Sequence, residues 1–455
     1  MSDKGNRLVG AVLVLCISLF PLSVMAAADP PPAAKLTMQE AVSLVLKRNR
    51  SIQQAVLTID AAKARRKEIS GSFLPQISLQ ESFFRQFADS TKTKAYDFST
   101  RTWKKVMTDD SWKSSYDTRV FFQMPLFTSG RLEANYRQAA YSVAQTEANL
   151  DKTRQSLILD TITAYLTLLQ NYNSAALARQ SVEQMQQHLR IAALNYEQGM
   201  VAKSDVLRSE VELAAAEQKL AKAENSVNLA RTALCNLMGI PLDSQFIAQP
   251  IQTPTYRTPP LAALLEQAAA SRPELAAVSA QTHAAGAAVT AARAGHLPTI
   301  SLNANYDWRG ETYLKNEENW NVMVVANLNV FDGGITASRI EQAKKNAAVV
   351  ESQQRQLADL VALEVTQALF NLEDAAKRLL TAQKASVKAD DDFRISRARY
   401  LAGIGSNIEV LDSHVAFVNA KNNLIQTQFD YYAGYARLLR ATGELTSAER
   451  MENHE

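Results

Sequence analysis

Few residues of this chain are placed to do chemistry. Its five histidines, His188, His283, His296, His414 and His454, are scattered, and none has a partner at metal-ligand spacing. Each reads as a surface or packing residue, so no metal site is expected. No glycine loop followed by lysine cradles a phosphate, and neither HExxH nor a nucleophile elbow is present. No catalytic centre and no cofactor follow from such a sequence; the protein is not expected to be an enzyme. One pair of carboxylates stands out. Glu409 and Asp412, in NIEVLD, lie three residues apart, which on a helix puts both on one face. Taken alone, that is the pattern of a solvated helix surface.

What must position these groups is long helix. Only 15 Gly and 13 Pro punctuate 455 residues, and they cluster, leaving long stretches without a breaker. The first residues carry Lys4 and Arg7, then an apolar run from Leu8 to Leu22, then Val24, Ala26 and Ala28. That order is a secretory signal, expected to span 1–28. Its removal leaves Cys235 as the only cysteine, so no intramolecular disulfide can form in the oxidising destination. The net charge of +3 comes from dispersed basic residues, which leaves no footprint for nucleic acid.

The chain is written twice. FLPQISL at 73–79 answers HLPTISL at 296–302, and LNYEQGMVAKSDVL from Leu194 answers ARYLAGIGSNIEVL from Ala398. The second spacing also pairs Phe127 with Phe331, Gly130 with Gly334, Gly199 with Gly403, and Gly239 with Gly443. It is the shorter spacing, so the first copy holds extra residues between Leu79 and Phe127; the Ser-, Thr- and Lys-rich stretch 88–111 reads as a long exposed loop. The copies are expected at 29–239 and 261–443. A Pro-rich connector, 240–260, joins them and a polar tail, 444–455, follows. Each copy opens with a helical region (37–69; 261–294, with a break at Pro273). Two alternating segments, a very long helix, a glycine turn and a second long helix follow. The long helices are expected at 131–198 and 204–238, then 335–402 and 407–442. The longer of each pair would extend roughly 100 Å. Leu157, Thr161, Ala164, Leu168 and Ala175 illustrate the lean stripe that packs one helix closely on another.

The alternating segments lie near 76–87, 112–127, 299–309 and 319–331. Ile300, Leu302, Ala304, Tyr306 and Trp308 oppose Ser301, Asn303, Asn305, Asp307 and Arg309. Trp320, Val322 and Val324 repeat the pattern, as do Trp112, Tyr116, Val120 and Phe122; in the first segment Glu81 and Arg85 intrude on the apolar face. Alternation over about ten residues with terminal aromatics is the mark of a transmembrane β-strand. Trp112, Trp308 and Trp320 fall at the loop-proximal ends and are expected to form one interfacial girdle. Four strands cannot seal themselves in lipid, so copies must pool them, as a dimer or a trimer.

Signal peptide, duplicated helix-hairpin-helix-helix unit, LPxISL before a strand, F-x-x-G after the second strand and Y-x-x-G at the helical turn together resemble the TolC-type outer membrane factors. The resemblance covers nearly the whole mature chain. It implies a mainly α fold with a transmembrane β portion, in which a homotrimer forms a twelve-stranded β-barrel in the lipid bilayer, continued by a twelve-helix α-barrel. It implies a cell outer membrane location reaching into the periplasm, and a passive exit duct for efflux or type I secretion. Its partners would be a periplasmic adaptor protein and a proton- or ATP-driven inner-membrane pump. By the same resemblance Glu409 and Asp412 line the periplasmic constriction, and Asp205 and Tyr400 hold neighbouring helical pairs together. Gly199, Met200, Val201 and Ala202, with Gly403, Ile404 and Gly405, form tips that meet the adaptor. The family archetype has a basic residue where this chain has Gly405, so that ion bridge is lacking; Arg208 is the nearest replacement. The competing reading is a periplasmic coiled-coil adaptor or scaffold that never enters the membrane.

Overall fold

The computed structural model describes residues 34–88, 92–107, 111–251, 259–311 and 317–446. The expected signal segment, 252–258 of the connector and the tail from 447 lie outside the described residues. The first elements are β1 (Ala34–Leu36), α1 (Met38–Arg48) and α2 (Arg50–Gly71). Thr37 starts α1 with a capping box, its hydroxyl accepting from Glu40 N at 3.2 Å while the Glu40 carboxylate accepts from Thr37 N at 2.9 Å. The helical region expected to run unbroken from Thr37 is split at Asn49. Its extended backbone ends α1, and its side chain accepts from Ser51 N to start α2.

β2 (Gln76–Ala88) and β5 (Ser111–Phe127) pair antiparallel, and between them lie β3 (Lys92–Asp97) and β4 (Thr102–Met107). Those two strands pair with each other, so the stretch expected as an irregular loop carries a hairpin of its own. Its Thr, Tyr and Trp residues suit a strand, and Asp97 turns the chain by accepting from Ser99 N at 2.9 Å and holding Lys104 Nζ at 2.7 Å. The rings of Tyr96 and Trp103 meet across the pair at 5.3 Å.

Next come α3 (Arg131–Glu197) and α4 (Lys203–Met238), then β6 (Phe246–Ala248), α5 (Leu261–Ser271) and α6 (Pro273–Arg293). Pro273 occupies the first turn of α6, where its missing N–H costs nothing. The connector is not wholly irregular: β6 pairs in parallel with β1, and Tyr165 Oη lies 2.8 Å from Leu36 O and 2.9 Å from Gln249 O beside that pair. β7 (Thr299–Gly310), β8 (Glu317–Asn327), α7 (Ile335–Leu401) and α8 (Asn407–Ala441) complete the chain. β8 stops short of the expected 331, because Asp332 draws the chain into α7 by accepting from Gly334 N and Thr336 N.

α3 and α7 are each 67 residues, roughly 100 Å of continuous helix. α2 lies against α3 and α6 against both α3 and α7; α4 folds back along α3, α8 along α7, and α3 meets α8 at the seam between the two pairs. The main core gathers Tyr165, Ile162 and Leu168 of α3, Leu234 and Met238 of α4 and Tyr435 and Leu438 of α8. A buried charge cluster locks the end of α8: Arg272 reaches Glu364 at 2.7 Å and Glu274 at 3.1 Å, and points Nη1 at the Ala441 carbonyl. No helix among the described residues is long and apolar enough to cross a membrane.

The sheet order is β2-β5-β7-β8, antiparallel throughout, and among the described residues both edges, β2 and β8, lack a partner strand. The register brings Leu79, Val120, Tyr306 and Trp320 into one cross-strand row and Ile77, Phe122, Ala304 and Val322 into the next. That face is apolar and open: Ile77, Leu79, Trp320 and Val324 are all more than half exposed. Each of the two intruders has a local partner. Glu81 accepts a hydrogen bond from Thr118 Oγ1, and the Arg85 guanidinium sits 4.9 Å from the Trp112 ring centroid. The other face carries Asp117, Arg119, Asp307 and Arg309, joined by Arg309 to Asp117 at 2.7 Å, Arg119 to Asp117 at 3.7 Å and an ion pair from Arg119 to Asp307.

Candidate functional site

The ends of the long helices farthest from the sheet are two tight turns. Gly199 and Gly403 take left-handed φ of +72° and +73°, and beyond each a backbone bond closes the turn, Met200 N to Asn195 O at 2.9 Å and Ile404 N to Arg399 O at 3.0 Å. Gly199, Met200 and Ala202 are exposed and Val201 is half-buried; Gly403 and Ile404 are exposed and Gly405 is half-buried. Met200 and Ile404 thrust apolar side chains outward at 63% and 71% exposure. Gly405 has a steric reason: a Cβ there would sit 2.9 Å from Tyr400 N. The second turn folds too closely on α7 to admit the basic residue of the archetype.

Ser406 caps α8 by accepting from Glu409 N at 3.2 Å, so Glu409 stands in the first turn, where the helix dipole favours a carboxylate. Glu409 and Asp412 share the exposed face of α8 with Ile408 and Val415, while Val410, Leu411, Ser413, His414 and Phe417 face inward. The repeat places Asp205 and Arg208 at the matching positions of α4, so only the second turn carries two acids. Arg208 is exposed and forms no salt bridge among the described residues.

Behind the acidic face lies a buried polar seam that the sequence did not disclose. Asn407, at the start of α8, donates from Nδ2 to the Asp205 carbonyl at 3.0 Å, and its Oδ1 lies 2.6 Å from His188 Nε2 and 3.3 Å from Ser209 Oγ. Since Oδ1 can only accept, His188 carries its proton on Nε2. His414 Nε2 lies 3.2 Å from Ser181 Oγ, and its ring rests against Phe393. These contacts tie α3 and α4 to α8. α7 joins through Tyr400, whose ring lies 5.0 Å from that of His188, and through Arg397, which donates to Gln187 at 2.8 Å. Burial depresses the His188 imidazole; the Asn407 bond opposes this and Arg397 adds to it. Burial, with Lys219 and His188 nearby, pushes His414 down to about 4. Burial raises the Tyr400 phenol, with Asn195 opposing and Asp205 adding.

Tyr400 and Asp205 lie beside this seam, Asp205 accepting from Asn407 Nδ2 at its main-chain carbonyl. Sequence reasoning missed His188, His414, Asn407, Ser181 and Ser209. The readable signal was the spacing: Leu177, Ser181, Met185, His188 and Ala192 form one buried stripe of α3.

At the other end of the molecule the three tryptophans stand at two levels. Trp308 pairs with Thr118 and Trp320 with Tyr306, close together, whereas Trp112 pairs with Phe87, six positions along β5 from Thr118 and about 20 Å farther out. The β2–β5 hairpin outreaches β7–β8, which is why a single girdle does not form within the chain. Trp112 and Trp320 are exposed; Trp308 is half-buried, its ring 4.5 Å from that of Tyr306.

An open sheet with an exposed apolar face, carried on helices roughly 100 Å long, is the build of a subunit of an outer-membrane channel with a helical extension. The chain belongs to the outer membrane efflux protein family, whose profile matches residues 41–240 and 264–444. It is 23% identical to the alkaline protease secretion protein AprF of Pseudomonas aeruginosa, across 92% of this chain and 86% of that protein. It is 23% identical to the outer membrane protein TolC of Escherichia coli, across 88% and 81%. In fold it is similar to the CmeC outer membrane channel of Campylobacter jejuni, with a TM-score of 0.77 at 18% identity, covering 92% of this chain and 87% of that one. The protein is thus a TolC-like factor of the outer membrane, extending into the periplasm.

Proposed function

We propose that three copies of this chain assemble into a passive exit duct, gated at its periplasmic end, for tripartite efflux or type I secretion. The carrying observation is the four-stranded sheet with an apolar outer face and two edges that have no partner strand among the described residues. In lipid every backbone group must be paired, so β8 of one copy must bond β2 of the next. Three copies give twelve strands, within the range of known barrels. The faces with Asp117, Arg119, Asp307 and Arg309 then line water, and the long helices continue the wall inward.

In this reading Glu409 and Asp412, both on the exposed face of α8, form a ring of six carboxylates at the narrow end, which favours cations. The exposed Met200 and Ile404, with their small neighbours, form the adaptor-facing tips, and the adaptor connects the duct to an energised inner-membrane pump. The copies at 29–239 and 261–443, joined by 240–260, are the two repeats that make the wall. AprF is named for secretion of a protease and the Pseudomonas putida relative TtgC for toluene efflux, so cargo of either kind fits a water-filled passage. The test is reconstitution: detergent-purified protein should run as a heat-modifiable trimer and give unitary conductance in planar bilayers. A freely soluble periplasmic monomer that never conducts would sink it.

A further inference from the structure

We propose that His188 and His414 make the closed periplasmic end acid-labile, because both imidazoles must stay neutral for the α3–α4 pair to remain docked on the α7–α8 pair. This rests on reading that end as a gate. Gating needs the two helical pairs to separate, and α3 meets α8 along the seam where these side chains are buried, His188 at 3% and His414 at 5% exposure. His188 bridges the pairs through Asn407, and His414 bridges them in the opposite direction through Ser181.

The surroundings offer a proton no welcome. His188 faces Asn407 of α8, Tyr400 and Arg397 of α7 and the Asp205 carbonyl region of α4; His414 faces Ser181 and His188 of α3, Phe393 of α7 and Lys219 of α4. The two charged side chains acting on the imidazoles, Arg397 and Lys219, are cations, and no carboxylate forms a salt bridge with either histidine among the described residues. Charging one ring leaves a buried cation beside others of the same sign. Gly405 lies two residues before Asn407, and a Cβ there would meet Tyr400 N at 2.9 Å, so the turn beside the seam packs against the same tyrosine that touches His188.

The sign follows from linkage. Both groups are depressed in the docked state, and separation restores ordinary values, so the separated state binds protons more readily. Docking is then unaffected above the ordinary value of 6.5, weakens as pH falls from there towards about 4, and changes no further below it. For His414 alone the separated state gains about 30-fold over the docked state per protomer at about pH 5 and about 300-fold at the limit.

The experiment is single-channel recording of the trimer in planar bilayers, with the periplasmic-side chamber taken from about pH 7.5 to about pH 5. Wild type should shift from a low-conductance to a high-conductance state, and the His188→Gln/His414→Gln double variant, verified as a trimer, should stay low at both values. Acid opening that persists in the double variant, or wild-type conductance that ignores pH, overturns the proposal while leaving the duct standing; a protein that never conducts overturns both. Should the double variant fail to assemble, Asn407→Asp decides. This near-isosteric change gives His188 a carboxylate partner, so its opening should need a lower pH than wild type, and an unmoved midpoint counts against the latch.

Discussion

Val322 is the clearest place to test the membrane assignment. It sits at the middle of β8, with Ala304 and then Phe122 beside it across the sheet, and it is 59% exposed in the isolated chain. If that face meets hydrocarbon, Val322→Arg places a guanidinium near the bilayer midplane at a cost of about 2–4 kcal/mol per protomer. Three copies in one barrel multiply this to about 6–12 kcal/mol per trimer. The neighbouring residue provides the comparison. Asn321 points to the opposite face, across from Asn305, whose amide already bonds Asp307. Asn321→Arg should therefore change stability by less than about 1 kcal/mol. The assay is the temperature at which the trimer band dissociates on semi-native gels, together with the fraction assembled in the outer membrane. Val322→Arg should abolish or sharply lower both and Asn321→Arg should leave both near wild type. Equal damage from the two, or greater damage from Asn321→Arg, would refute the assignment of faces.

Three further outcomes follow from the helical end and the core. Glu409→Ala combined with Asp412→Ala should raise single-channel conductance and weaken block by divalent cations added on the periplasmic side; unchanged block means that these carboxylates do not line the constriction. Gly405→Ala forces a Cβ to within 2.9 Å of Tyr400 N, so the second turn must open by a few tenths of an ångström. Protease cleavage at 401–406 should accelerate several-fold, and an unaltered cleavage rate argues against the tight turn. Arg272→Ala removes a cation only 3% exposed, with its bonds to Glu364 and the Ala441 carbonyl, and leaves Glu274 with Arg440 alone, which should cost about 3 kcal/mol in thermal or denaturant unfolding of the helical region; a loss under about 1 kcal/mol would show that the cluster is not holding α8.

The parts of the fold that were legible in sequence are those with a local cause. The long helices could be read because no glycine or proline interrupts them, and the Gly199 and Gly403 turns because left-handed backbone favours glycine. The alternating strands were visible because lipid and water impose opposite demands on successive residues. The elements that escaped reading depend on partners far along the chain. The β3–β4 hairpin looked like loop because its strands, KTKAYD and TWKKVM, are short and Lys-rich with no clean apolar alternation, and β6 was hidden among prolines because its partner, β1, lies more than two hundred residues earlier. Asn49 broke a helix that propensity alone would continue, since its amide also reaches Leu237 O at 3.1 Å.

The sequence by itself determined a duplicated, export-directed chain of long helices with four membrane-type strands. Each of those properties is set by periodicity and by the residues that interrupt it. Tertiary structure alone decided the register of the sheet, which sets Trp112 apart from Trp308 and Trp320, and the convergence of His188 with Asn407 and of Ser181 with His414. Those pairs are more than two hundred residues apart, and a hydrogen bond depends on where two helices cross, a quantity that no local pattern of either helix contains.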